Sequence, residues 1–558
     1  MQPLRTIIIG LDGATFDLID PWARAGFLPN LARLMEQGVR APLAAWPNMN
    51  SAVAWSSIIT GYNPGQHGIF DFGDRLAWQH QEWHPTTAAD RRRRAFWQLL
   101  SDAGQQVGVI NVPISYPANP LRGFMLAGMD APSVNSPGFA HPPDLMSELR
   151  LQGIDYVLDV PGLGRLCHKD PGRVPEPVTA MMDSRSRTIL HLMDSRPWDA
   201  LMAVLVAPDR MQHFYWPEGR EAPDDGPDWA PIRGVYQQVD RFLSNVLARV
   251  GQNTVVLVVS DHGFGPRRLA SNCLNPMLAR VGLLRFRADV RPRRPLGFLL
   301  RWGRRRLPLP FQYLLAKRLP ALYVRAVSQS KNPDVDWSRT QVFASLRGRS
   351  IWINLKGRQA YGIVPPEEYE ALRQRVSELL LTLTDPATGR RVVRAVHRRE
   401  DVFRGPYLDR AADLLVEWDE VIAGDGLAYP DGGQPVYARP QSRRVGEAGW
   451  TANHRSEGVF IAWGPGVIRP GVTLTESAHA ARPVTHYDIS PTVLHLQGLP
   501  VPADMDGRVL AEIFTEEYHR GHAVRIGQSG ATADRTVGLE ADEARLVEER
   551  LRSLGYLE

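Results

Sequence analysis

Thr254-Val-Val-Leu-Val-Val259, followed directly by Ser260-Asp261-His262-Gly263, is an apolar β-branched run that ends in an acid and an imidazole. Six such residues without polar alternation suit a strand covered on both faces, and such strands belong to parallel sheets. Other runs share the pattern. Thr6–Gly10 leads into Leu11-Asp12-Gly13, and Leu201–Ala207 leads into Pro208-Asp209-Arg-Met-Gln-His213. Val107–Val112 and Val459–Trp463 also read as buried parallel strands, the latter preceded by Asn453-His454-Arg455. Helical periodicity lies between them, over Leu28–Gly38, Ala95–Ala103, Met181–Met193 and Tyr236–Val250. Strand and helix alternating at these lengths predict an α/β sandwich, with a mainly parallel central sheet flanked by helices.

In open α/β sheets, ligands bind beyond the carboxyl ends of the strands. Three strands therefore deliver Asp12, Asp209 with His213, and Asp261 with His262 to one edge, and His454 is expected to join them. Carboxylates crowded together repel, and bound cations are the simplest way to keep them ionised. Mixed imidazole and carboxylate ligands favour Zn²⁺, with Mn²⁺ as the second choice, over Mg²⁺ or Ca²⁺. Six such ligands exceed what one tetrahedral zinc accepts, so two divalent ions are expected. Adjacent Asp261 and His262 need an irregular turn to chelate together, which Gly263 permits.

Asn50-Ser51-Ala-Val-Ala-Trp55-Ser-Ser-Ile-Ile-Thr60-Gly61 adds a nucleophile to this edge. Ala52–Ile59 reads as a helix with Ser51 at its start. A serine there is either an N-cap or a hydroxyl held among free N–H groups at the positive end of the helix dipole, where a phosphoryl group is welcome. A bound cation would lower the pKa of that hydroxyl.

Taken together, these motifs resemble the alkaline phosphatase superfamily, and within it the type I phosphodiesterase/nucleotide pyrophosphatase branch. The matching residues are Gly10-Leu-Asp-Gly13, the block from Ser51 through Thr60-Gly61, Pro64 and His67-Gly68, then Asp209-xxx-His213, Ser260-Asp-His-Gly263 and His454, with a closing segment around His486–Leu499, Asp506 and Gly507. The resemblance implies an alkaline phosphatase-like sandwich with an inserted cap. It implies a metal-dependent hydrolase that cleaves phosphodiester or phosphoanhydride bonds through a phosphoserine on Ser51. One ion would be held by Asp12, Ser51, Asp261 and His262, and the other by Asp209, His213 and His454. The same superfamily also offers phosphomonoesterase, phosphomutase, sulfatase and non-catalytic anion-binding members. A sulfatase frame would need Pro and Arg in Ser51-Ala-Val-Ala-Trp55, and neither is present. The branch carries a phosphoryl-binding Asn shortly after its His-Gly. Here Ile69-Phe70-Asp71-Phe72-Gly73 offers an acid instead, which sets the nucleotide assignment apart from the metal site. Asn50, Arg455 and Arg358 are the remaining candidates for substrate contacts.

The chain of 558 residues exceeds one compact core. Residues 1–279 read as the first part of the core, 280–400 as a basic insertion and cap, 401–518 as the second part, and 519–558 as a linker and a C-terminal helix. From Arg280 to Arg325 the only acid is Asp289, among many arginines interleaved with apolar residues. That segment reads either as a solvated cap or as a surface for an anionic membrane or substrate. A phosphate-ester small molecule or a lipid-linked substrate suits it. A net charge of only +5 does not call for nucleic-acid binding. Cys167 and Cys273 support neither a disulfide framework nor a thiolate zinc site. No apolar run approaches the ~20 residues of a membrane span, and the first strand starts without a leader, so a cytoplasmic location is expected, peripheral to the membrane if residues 280–325 dock there.

Overall fold

The computed structural model describes residues 4–73, 84–268, 270–287, 335–345, 349–359, 361–421, 424–429, 433–437, 451–474, 482–530, 533, 539–554 and 556. Most of the basic insertion, from residue 288 to 334, lies outside them.

Among the described residues a ten-stranded sheet forms the centre. Its main strands are β1 (Arg5–Leu11), β2 (Val39–Ala44), β3 (Val107–Val112), β4 (Gly123–Ala127), β5 (Ala200–Leu205), β6 (Thr254–Val259) and β7 (Glu457–Trp463). The order runs β2-β7-β6-β1-β5-β3-β4, and β6, β1, β5, β3 and β4 are mutually parallel. β3, β5 and β6 are buried at every residue, as their unbroken apolar runs require. Each buried Val, Leu or Ile in them stabilises the fold by roughly 1.5–3 kcal/mol.

β7 departs from the expected direction. It pairs antiparallel with both β6 and β2. The reason lies in the ligand order. Asp12, Asp209 and Asp261 follow their strands, whereas His454 precedes its strand, so only a reversed β7 brings His454 to the edge where the others emerge.

Two groups of helices cover the sheet. α1 (Pro29–Glu36), α4 (Pro175–Ser195), α5 (Ala207–Tyr215) and α6 (Ala230–Leu247) pack among themselves, and α2 (Ser51–Thr60), α3 (Phe96–Asp102) and α7 (Ile489–Leu496) form the other group. α4 and α6 start about one and a half turns before their strongest apolar periodicity, on prolines in the first turn, where a missing N–H costs nothing. Among the described residues no helix is long and apolar enough to cross a membrane.

A second, smaller core sits beside the first. Its antiparallel sheet holds Val342–Ala344, Ser350–Ile353, Leu414–Trp418 and Val393–Arg398 in that order, with the helix Tyr369–Leu381 and the segment Ala270–Leu284 packed on it. The boundary expected at residue 400 falls within this sheet, since Val393–Arg398 pairs with Leu414–Trp418 across it. Cys167 and Cys273 are buried thiols outside any disulfide, and burial pushes both up, to about 12 and about 11.

The expected linker is tied down. Ile526-Gly527 pairs in parallel with Val501-Pro502, the Gly530 N–H donates to Asp504 Oδ1 at 2.7 Å, and the Ala533 N–H donates to the Arg92 carbonyl at 3.1 Å. α8 (Ala541–Ser553) follows and buries Val547 and Leu551.

Candidate dinuclear metal centre

Each carboxylate of the site sits just past a parallel strand, with one oxygen held and the other turned inward. Asp12 follows β1, and its Oδ2 accepts from Trp55 Nε1 at 3.3 Å. Trp55 lies one turn along α2 from Ser51, on the same face. Asp261 Oδ1 accepts from the Gly13 N–H at 3.1 Å. Gly13 has φ +69°, a left-handed turn that suits glycine, and this turn aims its N–H at Asp261. Asp209, in the first turn of α5, gives its Oδ2 to Arg210 Nη1 at 2.6 Å and to the Tyr556 hydroxyl at 2.9 Å. The opposite oxygens, Asp12 Oδ1, Asp209 Oδ1 and Asp261 Oδ2, are buried without a hydrogen-bond partner.

The imidazoles show the complementary pattern. Nδ1 of His213, His262 and His454 faces the carbonyl of Ala452 (3.3 Å), Gly263 (3.0 Å) and Met49 (2.7 Å) respectively. A carbonyl only accepts, so each Nδ1 donates to it and each Nε2 is turned into the site. Second partners of this kind orient metal-bound histidines.

The inward atoms converge. His262 Nε2 lies 3.3 Å from Ser51 Oγ, 3.3 Å from Asp261 Oδ2 and 3.8 Å from Asp12 Oδ1. Asp209 Oδ1 lies 3.2 Å from His213 Nε2 and 3.6 Å from His454 Nε2, and those two nitrogens are 3.2 Å apart. Donor atoms of Asp12, Asp261 and His262 fall within 4.8 Å of one another, as do those of Asp209, His262 and His454. Carboxylate oxygens without a hydrogen-bond partner beside inward-facing imidazole nitrogens make a set that divalent cations fit. All seven residues named from the sequence, Asp12, Ser51, Asp209, His213, Asp261, His262 and His454, are brought together here.

The electrostatics reflect the crowding. Burial drives Asp12 well above the usual carboxylate range, and Asp261 and Asp209 push the same way. Burial likewise raises Asp261, against the pull of His262. For Asp209 burial acts upward too, but His213, Arg210 and His454 outweigh it and hold the group well below its ordinary value.

His454 and His262 meet through a two-stranded ribbon in which Gly263–Pro266 pairs with Ala452–Arg455. Gly263 serves close approach here rather than an irregular turn. A Cβ at Gly263 would lie 1.9 Å from the Glu457 carbonyl oxygen.

Asn50 is the N-cap of α2, and Ser51 is the first helical residue. The Asn50 side chain accepts from the Ala52 N–H at 3.0 Å, and its backbone carbonyl accepts from Val53 and Ala54. Asn50 thus takes the Ala52 and Val53 N–H groups, and the Ser51 hydroxyl faces His262 at 3.3 Å. Ser56 and Ser57 point elsewhere, to the Ala52 carbonyl and to His67. Asp71 Oδ1 accepts from Asn50 Nδ2 at 2.7 Å and from the Phe72 N–H at 2.8 Å, which ties it to the N-cap of α2.

A cleft open to solvent borders the centre. Asn48, Asn50, Asp71 and His454 line it from the main core, and Arg349, Trp352, Phe403 and Arg410 from the smaller one. Arg358 is not among its lining residues. Its guanidinium is bidentate to Asp413, both contacts at 2.6 Å, inside the smaller core. Arg455 is paired with Glu221 at 2.7 Å and borders a separate small recess.

Sequence reading missed Arg210 and Tyr556. Arg210 is fully buried, donating to Asp159 Oδ2 at 2.9 Å as well as to Asp209. Its position inside the Asp209-xxx-His213 motif was a signal. Tyr556, far along the chain, carried none.

Residues 6–423 match the type I phosphodiesterase / nucleotide pyrophosphatase family. No curated protein matches the chain. Similar solved structures include phosphonoacetate hydrolase from Sinorhizobium meliloti 1021 in complex with phosphonoformate, at 15% identity over 88% of this chain and 94% of that one, with a TM-score of 0.49. They also include human ectonucleotide pyrophosphatase / phosphodiesterase 5, at 12% identity over 92% of this chain and 100% of that one, with a TM-score of 0.45. The chain belongs to the type I phosphodiesterase/nucleotide pyrophosphatase family and is a phosphoryl-transfer hydrolase of that type.

Proposed function

We propose that this enzyme cleaves phosphodiester or phosphoanhydride bonds with Ser51 as nucleophile and with two divalent cations, Zn²⁺ or Mn²⁺, as cofactors. One observation carries the reading. Three carboxylate oxygens without hydrogen-bond partners face three imidazole Nε2 atoms beside the Ser51 hydroxyl. Asp12, Ser51, Asp261 and His262 would hold one ion, and Asp209, His213 and His454 the other. When bound, the pair supplies Lewis acidity that lowers the serine pKa and neutralises charge on the attacking and leaving oxygens.

Ser51 Oγ attacks phosphorus, the new Oγ–P bond forms, and the bond to the leaving oxygen breaks. The serine proton passes to solvent. Phosphorus stays on Ser51 with whatever ester group it retains. Water then attacks the same phosphorus, the Oγ–P bond breaks, and Ser51 regains a proton. The positive end of α2 stabilises negative charge at this position. Asn50, fixed by Ala52 and Asp71, lines the approach. The organic part of the substrate would occupy the cleft between the two cores. Arg349 and Arg410 there suit an anionic or phosphate-rich group, and Trp352 and Phe403 suit an apolar one. A phosphate-ester small molecule or a lipid-linked phosphate meets both requirements.

Ser51→Ala is the test. The variant is expected to retain both metal ions and to lose hydrolysis of bis-p-nitrophenyl phosphate by about a thousandfold or more. Wild-type turnover of the diester is expected to exceed that of p-nitrophenyl phosphate and of the sulfate ester. Full diesterase activity in Ser51→Ala would remove Ser51 from the mechanism.

A further inference from the structure

We infer that Tyr556 completes the catalytic centre as a positioning residue for Asp209. The inference rests on the dinuclear reading above and adds a requirement to it. Before α8 begins, Ile526-Gly527, Gly530 and Ala533 are tied to Val501-Pro502, Asp504 and Arg92 of the main core. Arg550 on α8 then donates to the carbonyls of Met129 at 2.9 Å and Pro132 at 2.7 Å, and also to that of Ala131. Beyond α8, Tyr556 is buried, its ring 4.6 Å from that of Phe72.

The Tyr556 hydroxyl accepts from Arg210 Nη1 at 2.8 Å and donates to Asp209 Oδ2 at 2.9 Å. Asp209 Oδ2 thus has two donors, one charged and one neutral. A carboxylate held at one oxygen by two directional donors cannot rotate freely. Its other oxygen, Oδ1, is thereby fixed 3.2 Å from His213 Nε2 and 3.6 Å from His454 Nε2. A phenylalanine would fill the same space against Phe72, so packing does not account for the hydroxyl. The hydroxyl orients the ligand oxygen.

Loss of such an outer partner typically weakens metal affinity by about 10–100-fold. The effect should be confined to the ion held by Asp209, His213 and His454, because Asp12, Asp261 and His262 have other supports.

The test is Tyr556→Phe in the full chain. Ion-free wild type and variant are titrated with Zn²⁺ and with Mn²⁺ against a chromophoric chelator, and the thermal midpoint of each ion-free protein is recorded. Wild type should bind two ions. The variant should bind one with unchanged affinity and the other about 10–100-fold more weakly, with an unchanged ion-free midpoint. Equal affinities for both ions in the two proteins would overturn the inference and leave the dinuclear reading standing. Equal weakening of both ions, or a lowered ion-free midpoint, would overturn it in favour of a purely structural role. A wild type that binds no ion would overturn the dinuclear reading, and the inference with it.

Discussion

Arg210→Met should destabilise the enzyme in a way that depends on pH. Arg210 is 1% exposed and lies between Asp159, which is 7% exposed, and Asp209, which is 0% exposed. It donates to Asp159 through Nη2 at 2.9 Å and to Asp209 through Nη1 at 2.6 Å. Methionine fills much of the volume but leaves a buried carboxylate without its counter-charge, which costs about 3–5 kcal/mol. At about 2.1 cal/mol/K per residue the unfolding entropy of a chain this size is about 1.2 kcal/mol/K, so the midpoint should fall by about 3–4 °C.

Asp159 sets the pH dependence. Burial pushes it up, but Arg210 outweighs burial and holds it below the ordinary carboxylate value. A group depressed in this way adds stability above its unfolded pKa of about 4, and that stability is lost as pH falls through the lower folded value. The variant lacks this contribution, so the gap from wild type should be widest near neutral pH and narrow below about pH 4. Thermal unfolding of both proteins across that range measures it. A midpoint that does not move at neutral pH, or a gap that widens in acid, would refute the reasoning.

Asp130 behaves in the opposite sense. Burial raises it to about 6 although it accepts from the N–H groups of Ser115 and Tyr116. Ionising it costs stability, so wild type should weaken as pH climbs from about 4 to about 6, and Asp130→Asn should gain about 3 kcal/mol relative to wild type across that window. Denaturant titrations at pH 4 and pH 7 check this, and a constant difference would contradict it. Arg358→Ala should lower stability by about 2 kcal/mol, because Asp413 is fully buried and retains only its other donors. The KM for a diester should be unchanged, and a raised KM would return Arg358 to the list of substrate contacts.

The central sheet was legible because its strands are buried on both faces and leave apolar runs that no surface strand would carry. The convergence of the candidate ligands was legible because chemistry at the carboxyl ends of such strands follows topology, so Asp12, Asp209 and Asp261 could be placed at one edge before any contact was known. The direction of β7 was not read from its own residues, although His454 standing before the strand implied it. The N-cap went to Asn50 rather than Ser51, since both are good caps and only tertiary contacts with His262 separate them. Gly263 was noticed for a turn it does not make, because the close approach of the Glu457 carbonyl comes from a strand almost two hundred residues away. Arg358 looked like an anion contact because a lone arginine in a loop cannot show that Asp413, across the smaller sheet, already holds it. Tyr556 was invisible for the same reason: its partner Asp209 stands 347 residues away, and only the fold brings the two together.

The central claim is that these separated acids and imidazoles hold two ions beside Ser51. Anomalous scattering from crystals grown with Zn²⁺ or Mn²⁺ tests it most directly. Two peaks are expected, each about 2.0–2.3 Å from its ligands, one among Asp12, Ser51, Asp261 and His262 and the other among Asp209, His213 and His454. A single peak, or none within coordination distance of these residues, would contradict it.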